Sequence, residues 1–196
     1  MNLKSFRRLL IELDPAAASE HSILDHHVQG MDYLCLHRSE KLTVKIYLID
    51  PARIAAAPGE HLVTPHTHRY AFESTVISGC LSHALFRAIE GDTHDLFTYR
   101  PETRERLPVG QCALAEESLL DYRRGALYWV DPCDTHTLLV PEEPVLLGLV
   151  QFADTAPTST VYLRRGATMD YPQSRRPTAD EADSLRNVAL DMLEAA

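Results

Sequence analysis

Gly59-Glu-His-Leu-Val-Thr-Pro-His66-Thr-His68-Arg-Tyr-Ala-Phe-Glu73-Ser-Thr-Val-Ile-Ser-Gly79 is the stretch from which the fold can be read. In extended chain, residues at i and i+2 point to the same side, so His66 and His68 can bind one ion together. Glu73 stands at an odd spacing from both. A straight strand would turn it to the opposite face, so a turn or bulge around Arg69-Tyr70-Ala71 has to return its carboxylate to the histidines. Further on, Gly125-Ala-Leu-Tyr-Trp-Val-Asp-Pro132-Cys-Asp134-Thr-His136 supplies another imidazole. Imidazole nitrogen and carboxylate oxygen suit iron, manganese, nickel or zinc, and such a set leaves coordination positions open.

The first stretch resembles the first cupin motif: a glycine, HxH, a glutamate after four intervening residues, and a closing glycine. The second resembles the second cupin motif, with glycine, proline and histidine in order and Asp134 where that family carries glycine, a departure that touches a turn and not a ligand. Together they span residues 59 to 140. The resemblance implies a mainly β (α+β) fold, a cupin-like antiparallel β-barrel or jelly roll, with His66, His68, Glu73 and His136 as metal ligands. Cupins include oxygenases, isomerases, decarboxylases, seed storage proteins and sugar-binding regulators, so the fold names no reaction. Residues 66 to 79 are also similar in spacing to the thiol dioxygenases, cupins with three histidines and a cysteine where Glu73 stands. The Ser-x-His-x-Tyr element of that group has no counterpart, the corresponding region reading Gly148-Leu-Val-Gln151-Phe152, and Glu73 favours the four-ligand type.

Fe(II) in such a cage keeps two of six positions for a small polar substrate and dioxygen. Zinc, manganese or nickel there would polarise a carbonyl or activate water, the route to a redox-neutral isomerase or lyase. A non-catalytic ligand-binding protein is the third class. Arg69 is a candidate two-pronged clamp for a substrate carboxylate, Tyr128 a donor to bound oxygen, and Gln151 a neutral group orienting substrate if it faces inward. Surface or packing roles compete for the first two. Ile77, Leu85, Leu138 and Val140 are expected as apolar lining. His61 reads as a rim residue, and His83 as a core histidine or a substrate contact. His21, His37, His94 and the pair His26-His27 read as solvated or capping residues.

A chain of 196 residues, 45% hydrophobic, suits one domain over 1–196. Its net charge of −9 opposes binding to phosphate backbones. With no membrane-length apolar run and no signal-peptide core, a cytoplasmic location is expected. Cys35, Cys80, Cys112 and Cys133 are scattered without a CxxC pair, as reduced and mostly buried thiols would be. Leu3, Phe6, Leu9, Leu10 and Leu13 recur at helical spacing, Asp14-Pro15 restarts a helix, and helical structure is expected to end near Gly30. Alternation predicts strands over 42–49, 73–78, 81–89, 96–100, 126–130, 137–140, 145–152 and 160–163, within a barrel spanning 42–164. Turn signals include Gly91-Asp92 and Leu107-Pro108 with Gly110. Thr178-Ala-Asp-Glu181 is a capping box for a helix over 178–195, whose face of Leu185, Val188, Ala189, Met192 and Leu193 packs on the barrel or makes a homodimer contact.

Overall fold

Side-chain caps start the N-terminal helices where the sequence places them. Asn2 accepts from the Ser5 amide at 3.0 Å to begin α1 (Leu3–Glu12), and Asp14 accepts from the Ala16 amide at 3.0 Å to begin α2 (Pro15–Ser19). The computed structural model describes residues 1–103, 105–168 and 173–195. Among these residues nine strands follow: β1 (Met31–Arg38), β2 (Leu42–Ile49), β3 (Phe72–Ser78), β4 (Cys80–Arg100), β5 (Glu105–Arg123), β6 (Leu127–Val130), β7 (Thr135–Leu138), β8 (Val145–Phe152) and β9 (Ser159–Arg164). The chain then reaches α3 (Ala179–Ala195). Here the Thr178 hydroxyl accepts from the Glu181 amide and the Glu181 carboxylate accepts from the Thr178 amide, the reciprocal pair foreseen for this helix start.

The strands form two antiparallel sheets, one in the order β1-β2-β8-β3-β6 and the other β5-β4-β7 with β9 also on β4. The fold is mainly β, two antiparallel sheets packed as a sandwich, as the resemblance noted above implies. The five-stranded sheet packs on both faces, with Leu127 and Trp129 of its edge strand β6 left exposed. Tyr33, Tyr47, Phe72, Val76, Tyr128, Leu138, Leu147 and Leu149 join the inner core between the sheets. Leu34, Val44, Ile46, Ile77, Leu146 and Val150 face outward against Phe6 and Leu10 of α1 and Ala182, Ala189 and Leu193 of α3. The apolar face of α3 is thus largely used in packing, although Val188 stays exposed. Among the described residues no helix is long and apolar enough to cross a membrane.

Several expectations are corrected. Helix ends at Ser19, not near Gly30, and β1 begins one residue after Gly30. β1 hid from the alternation test because its first six residues are all buried, one set against each core, which erases the polar half of the period. Gly91-Asp92 is no hairpin turn: β4 runs through it, and four extra residues bulge out where the pairing jumps from Ile89 to His94. Leu107-Pro108 and Gly110 also lie within a strand, β5, where both Pro108 and Gly110 are tolerated because it is at the sheet's edge. Only Gly79 separates β3 from β4. Its φ of 81° and the Pro144 carbonyl, 2.7 Å from where a Cβ would sit, leave no room for a side chain.

Candidate metal centre

His66 lies in an irregular segment threaded between β7 and β9. It exchanges two backbone hydrogen bonds with His136, at 3.1 and 3.0 Å, and its flanking residues bond β9 through Tyr162 N to Pro65 O and Thr67 N to Thr160 O. The HxH segment is therefore fixed by the strand carrying the third histidine. Nitrogens of His66, His68 and His136 all lie within 4.8 Å of one another. The Nε2 atoms of His68 and His136 are 2.8 Å apart. Two imidazole nitrogens this close need a proton or a cation between their lone pairs, and two ligand nitrogens at right angles on one ion at about 2.1 Å sit about 3 Å apart. The His68–His136 pair matches that spacing, and His66, within 4.8 Å of both, completes a group that could hold a divalent metal.

Their surroundings keep them in the metal-ready form. Burial, followed by the neighbouring imidazoles, holds His68 and His136 well below the ordinary histidine pKa, and burial also lowers His66. Neutral imidazole is the form a metal needs. The Nδ1 of His66 is 2.8 Å from the Thr64 carbonyl and donates to it, which leaves Nε2 as the free lone pair.

Glu73, expected as the fourth ligand, is not brought to this cluster. The chain bends at Arg69-Tyr70 without returning the carboxylate: Tyr70 and Phe72, at even positions like His66 and His68, both pack on the His68 ring, at 5.0 and 4.9 Å. Glu73 consequently faces the opposite way, where its carboxylate pairs with the amino group of Met1, and Thr75, two residues along on that face, donates to the Met1 carbonyl. The position that a glutamate was assigned beside the histidines is taken by the Phe72 ring, 5.6 Å from His136.

Arg69, read as a substrate clamp, is committed to Asp154 at 2.7 Å, and its carbonyl holds the amides of Thr155 and Ala156. Tyr128 is buried on the inner face, but its ring partners are His83, stacked at 4.7 Å, and Tyr122. Gln151 does face inward. It follows Val145, Leu147 and Leu149 on the inner side of β8 and pairs with Phe72. Leu138 and Val140 line the inner core, and Leu85 sits across the ladder from His136. Ile77 belongs to the outer core beneath the helices, a consequence of the same parity that turns Glu73 away. Cys133 is exposed, against the expectation of a buried thiol. Asp134 closes the turn between β6 and β7 by accepting from the Asp131 amide at 2.8 Å, which is why a residue other than glycine serves there.

Two groups carry more than the sequence reading gave them. His83, 3% exposed, places Nε2 2.9 Å from Nδ1 of His136. For His136 to offer Nε2 to a metal its Nδ1 must carry the proton and donate to His83, so His83 stands where metal-bound histidines usually have a carboxylate or carbonyl. Burial lowers its own pKa to about 4, keeping it a neutral acceptor. His83→Ala is expected to weaken metal binding about 10- to 100-fold in a chelator competition, with partial recovery in His83→Asn, whose amide oxygen can accept. Unchanged affinity in His83→Ala would remove this positioning role. The second group is His27, whose ring lies 5.8 Å from His66. It sits in a loop with positive φ at Asp25 and His27, pinned by Arg53 through Asp25 and Asp32. No spacing rule in sequence connects this loop to the HxH segment; only the return of β1 alongside β2 does.

No family model matches the chain, and no curated protein matches it. Among solved structures it is similar to Streptomyces albus HEPD with 2-hydroxyethylphosphonate and Fe(II) bound, at 9% identity and a TM-score of 0.43, over 69% of this chain and 25% of that one. It is also similar to the hydroxypropylphosphonic acid epoxidase of S. wedmorenis, at 15% identity and a TM-score of 0.38, over 68% and 56%. A cupin superfamily protein from Desulfitobacterium hafniense matches at 10% identity and a TM-score of 0.36, over 62% and 76%. The chain spans a quarter of the first and little more than half of the second. Likeness this remote carries nothing about chemistry.

Proposed function

We propose that the chain is a metal-dependent enzyme that holds one divalent ion, Fe(II) in the leading reading, on His66, His68 and His136 and oxidises a small polar organic molecule with dioxygen. The observation that carries this is the grouping of three imidazoles, from two distant stretches of chain, with ligand nitrogens within 4.8 Å of one another. Three protein ligands would leave coordination positions for substrate and oxygen, and a bound Fe(II) would supply the electrons that oxygen activation requires. The protein's own part is to hold the imidazoles neutral, to orient His136 through His83, and to shield the site with Phe72, Leu138 and Val140. Gln151, facing inward beside Phe72, is the group placed to orient substrate.

A second reading has its own support. With Glu73 drawn away, the set is all imidazole, the ligand type of a three-histidine catalytic zinc whose fourth position holds water. That would make the enzyme a redox-neutral hydrolase, lyase or isomerase. Protein purified anaerobically and analysed for metals, then reconstituted separately with Fe(II) and Zn(II), separates the two. Oxygen uptake above background with thiols, amino acids, diketones or catechols, seen with Fe(II) only, is the expected result. Stoichiometric zinc with turnover in the absence of oxygen would overturn the oxygenase reading.

A further inference from the structure

Lys45 is out of place in the inner core. It lies on β2 between Cys35 of β1 and Leu149 of β8, and Tyr47 and Ile49 show that odd positions of β2 face inward. Its side chain is 7% exposed. The ammonium sits 5.0 Å from the Tyr33 ring centre and 5.6 Å from that of Tyr47, and among the described residues no carboxylate pairs with it. Two aromatic faces return part of the cost of burying a charge, but not the counter-ion such a charge calls for. An apolar residue would fill the position without that cost, as Tyr47 and Ile49 do on the same face.

A second unsatisfied group meets the same two tyrosines. Nδ1 of His26 is buried without a hydrogen-bond partner, and its ring stands edge-on to Tyr33 at 4.9 Å and 5.9 Å from Tyr47. Lys45 also has a path to the histidines across the sheet. On the sheet, Gln151 is its diagonal neighbour and leads to Phe72, which packs on His68 and His136. A second line of contacts joins the same end to the histidines: the His26 ring stands 3.8 Å from that of His27, which lies 5.8 Å from that of His66, and the cluster of His66, His68 and His136 contains no carboxylate.

We infer that Lys45, with His26 beside it, anchors the anionic end of the substrate, and that the substrate is a small organic acid carrying a single carboxylate whose other end reaches the three histidines. One fixed positive charge and one neutral ring nitrogen match a monoanion; a dianionic phosphonate would leave charge uncompensated at that end. This assignment rests on the proposed metal centre for its orientation, but Lys45 itself is not a metal ligand. The two ideas therefore fail separately.

The test measures thermal stabilisation of the full chain by glycolate, lactate, 3-hydroxybutyrate and phenylacetate, each against its neutral amide and against phosphonoacetate. It is run on metal-free and Zn(II)-loaded protein, for the wild type and for Lys45→Met and Lys45→Gln. Removing an unpaired buried charge leaves the fold intact, and using two variants guards against one that misfolds. The expected result is that at least one monocarboxylate stabilises the wild type, that its amide does not, and that the affinity falls at least tenfold in both variants while each still takes up one Zn(II) per chain. Stabilisation equal for acid and amide, undiminished in the variants, strongest for phosphonoacetate, or absent for every acid would overturn the assignment. Loss of zinc from the wild type itself would instead strike the metal centre.

Discussion

His136→Ala is expected to abolish metal retention, lowering the metal content of anaerobically purified protein from about one per chain to background, whereas Glu73→Ala retains it. His136 is 5% exposed and joins three contacts: Nε2 to His68, Nδ1 to His83, and a backbone pair with His66. Removing its ring takes away one of three ligands and unties the group that orients the others. A loss of at least about a hundredfold in affinity follows, since disturbing the supporting partner of a ligand alone costs 10- to 100-fold. Glu73 makes its ion pair with Met1 on the far side of β3. Elemental analysis of the two variants decides the matter: metal lost from Glu73→Ala but kept by His136→Ala would reverse the ligand assignment.

The largest effect on stability is expected at Phe6. Its side chain is fully buried where α1 meets the outer face of the five-stranded sheet, and its ring rests on Gly148 of β8, where even a methyl group would overlap it. Phe6→Ala removes a large apolar group and leaves a cavity that a sheet held on both sides by neighbouring strands cannot close. The cost is about 3–5 kcal/mol. Gly148→Ala attacks the same contact from the other side by forcing the ring to move, at about 1–3 kcal/mol. Urea unfolding measures both. A loss below about 1 kcal/mol for Phe6→Ala would mean that the helix is not a necessary cover for the sheet.

Several local signals agree with the structure, although the turn signals at Gly91-Asp92 and Leu107-Pro108 fall within strands. The Asp14 and Thr178 caps, the alternation of β2 and β8, and the i, i+2 geometry of His66 and His68 each depend on neighbours a few residues away. The parity of Glu73 was local too. It already pointed away from the histidines, and only the resemblance to the first cupin motif argued for a reset that the chain does not make. Strands buried on both faces or lying at a sheet edge, β1 and β5, escaped because their burial pattern is set by other elements, not by their own period.

What the chain determined by itself is the alternation of β2 and β8, the caps at Asp14 and Thr178 and the presence of three imidazoles on faces able to meet, because these follow from backbone periodicity and short-range hydrogen bonds. Tertiary structure decided the partners. Pairing of β2 with β1 and β8 put an unpaired lysine into the inner core, pairing of β4 with β7 set His83 behind His136, and the straight run of β3 gave Glu73 to the amino terminus. These contacts join residues far apart in sequence. They arise from sheet register and from the burial of two apolar faces at once, which no single segment encodes.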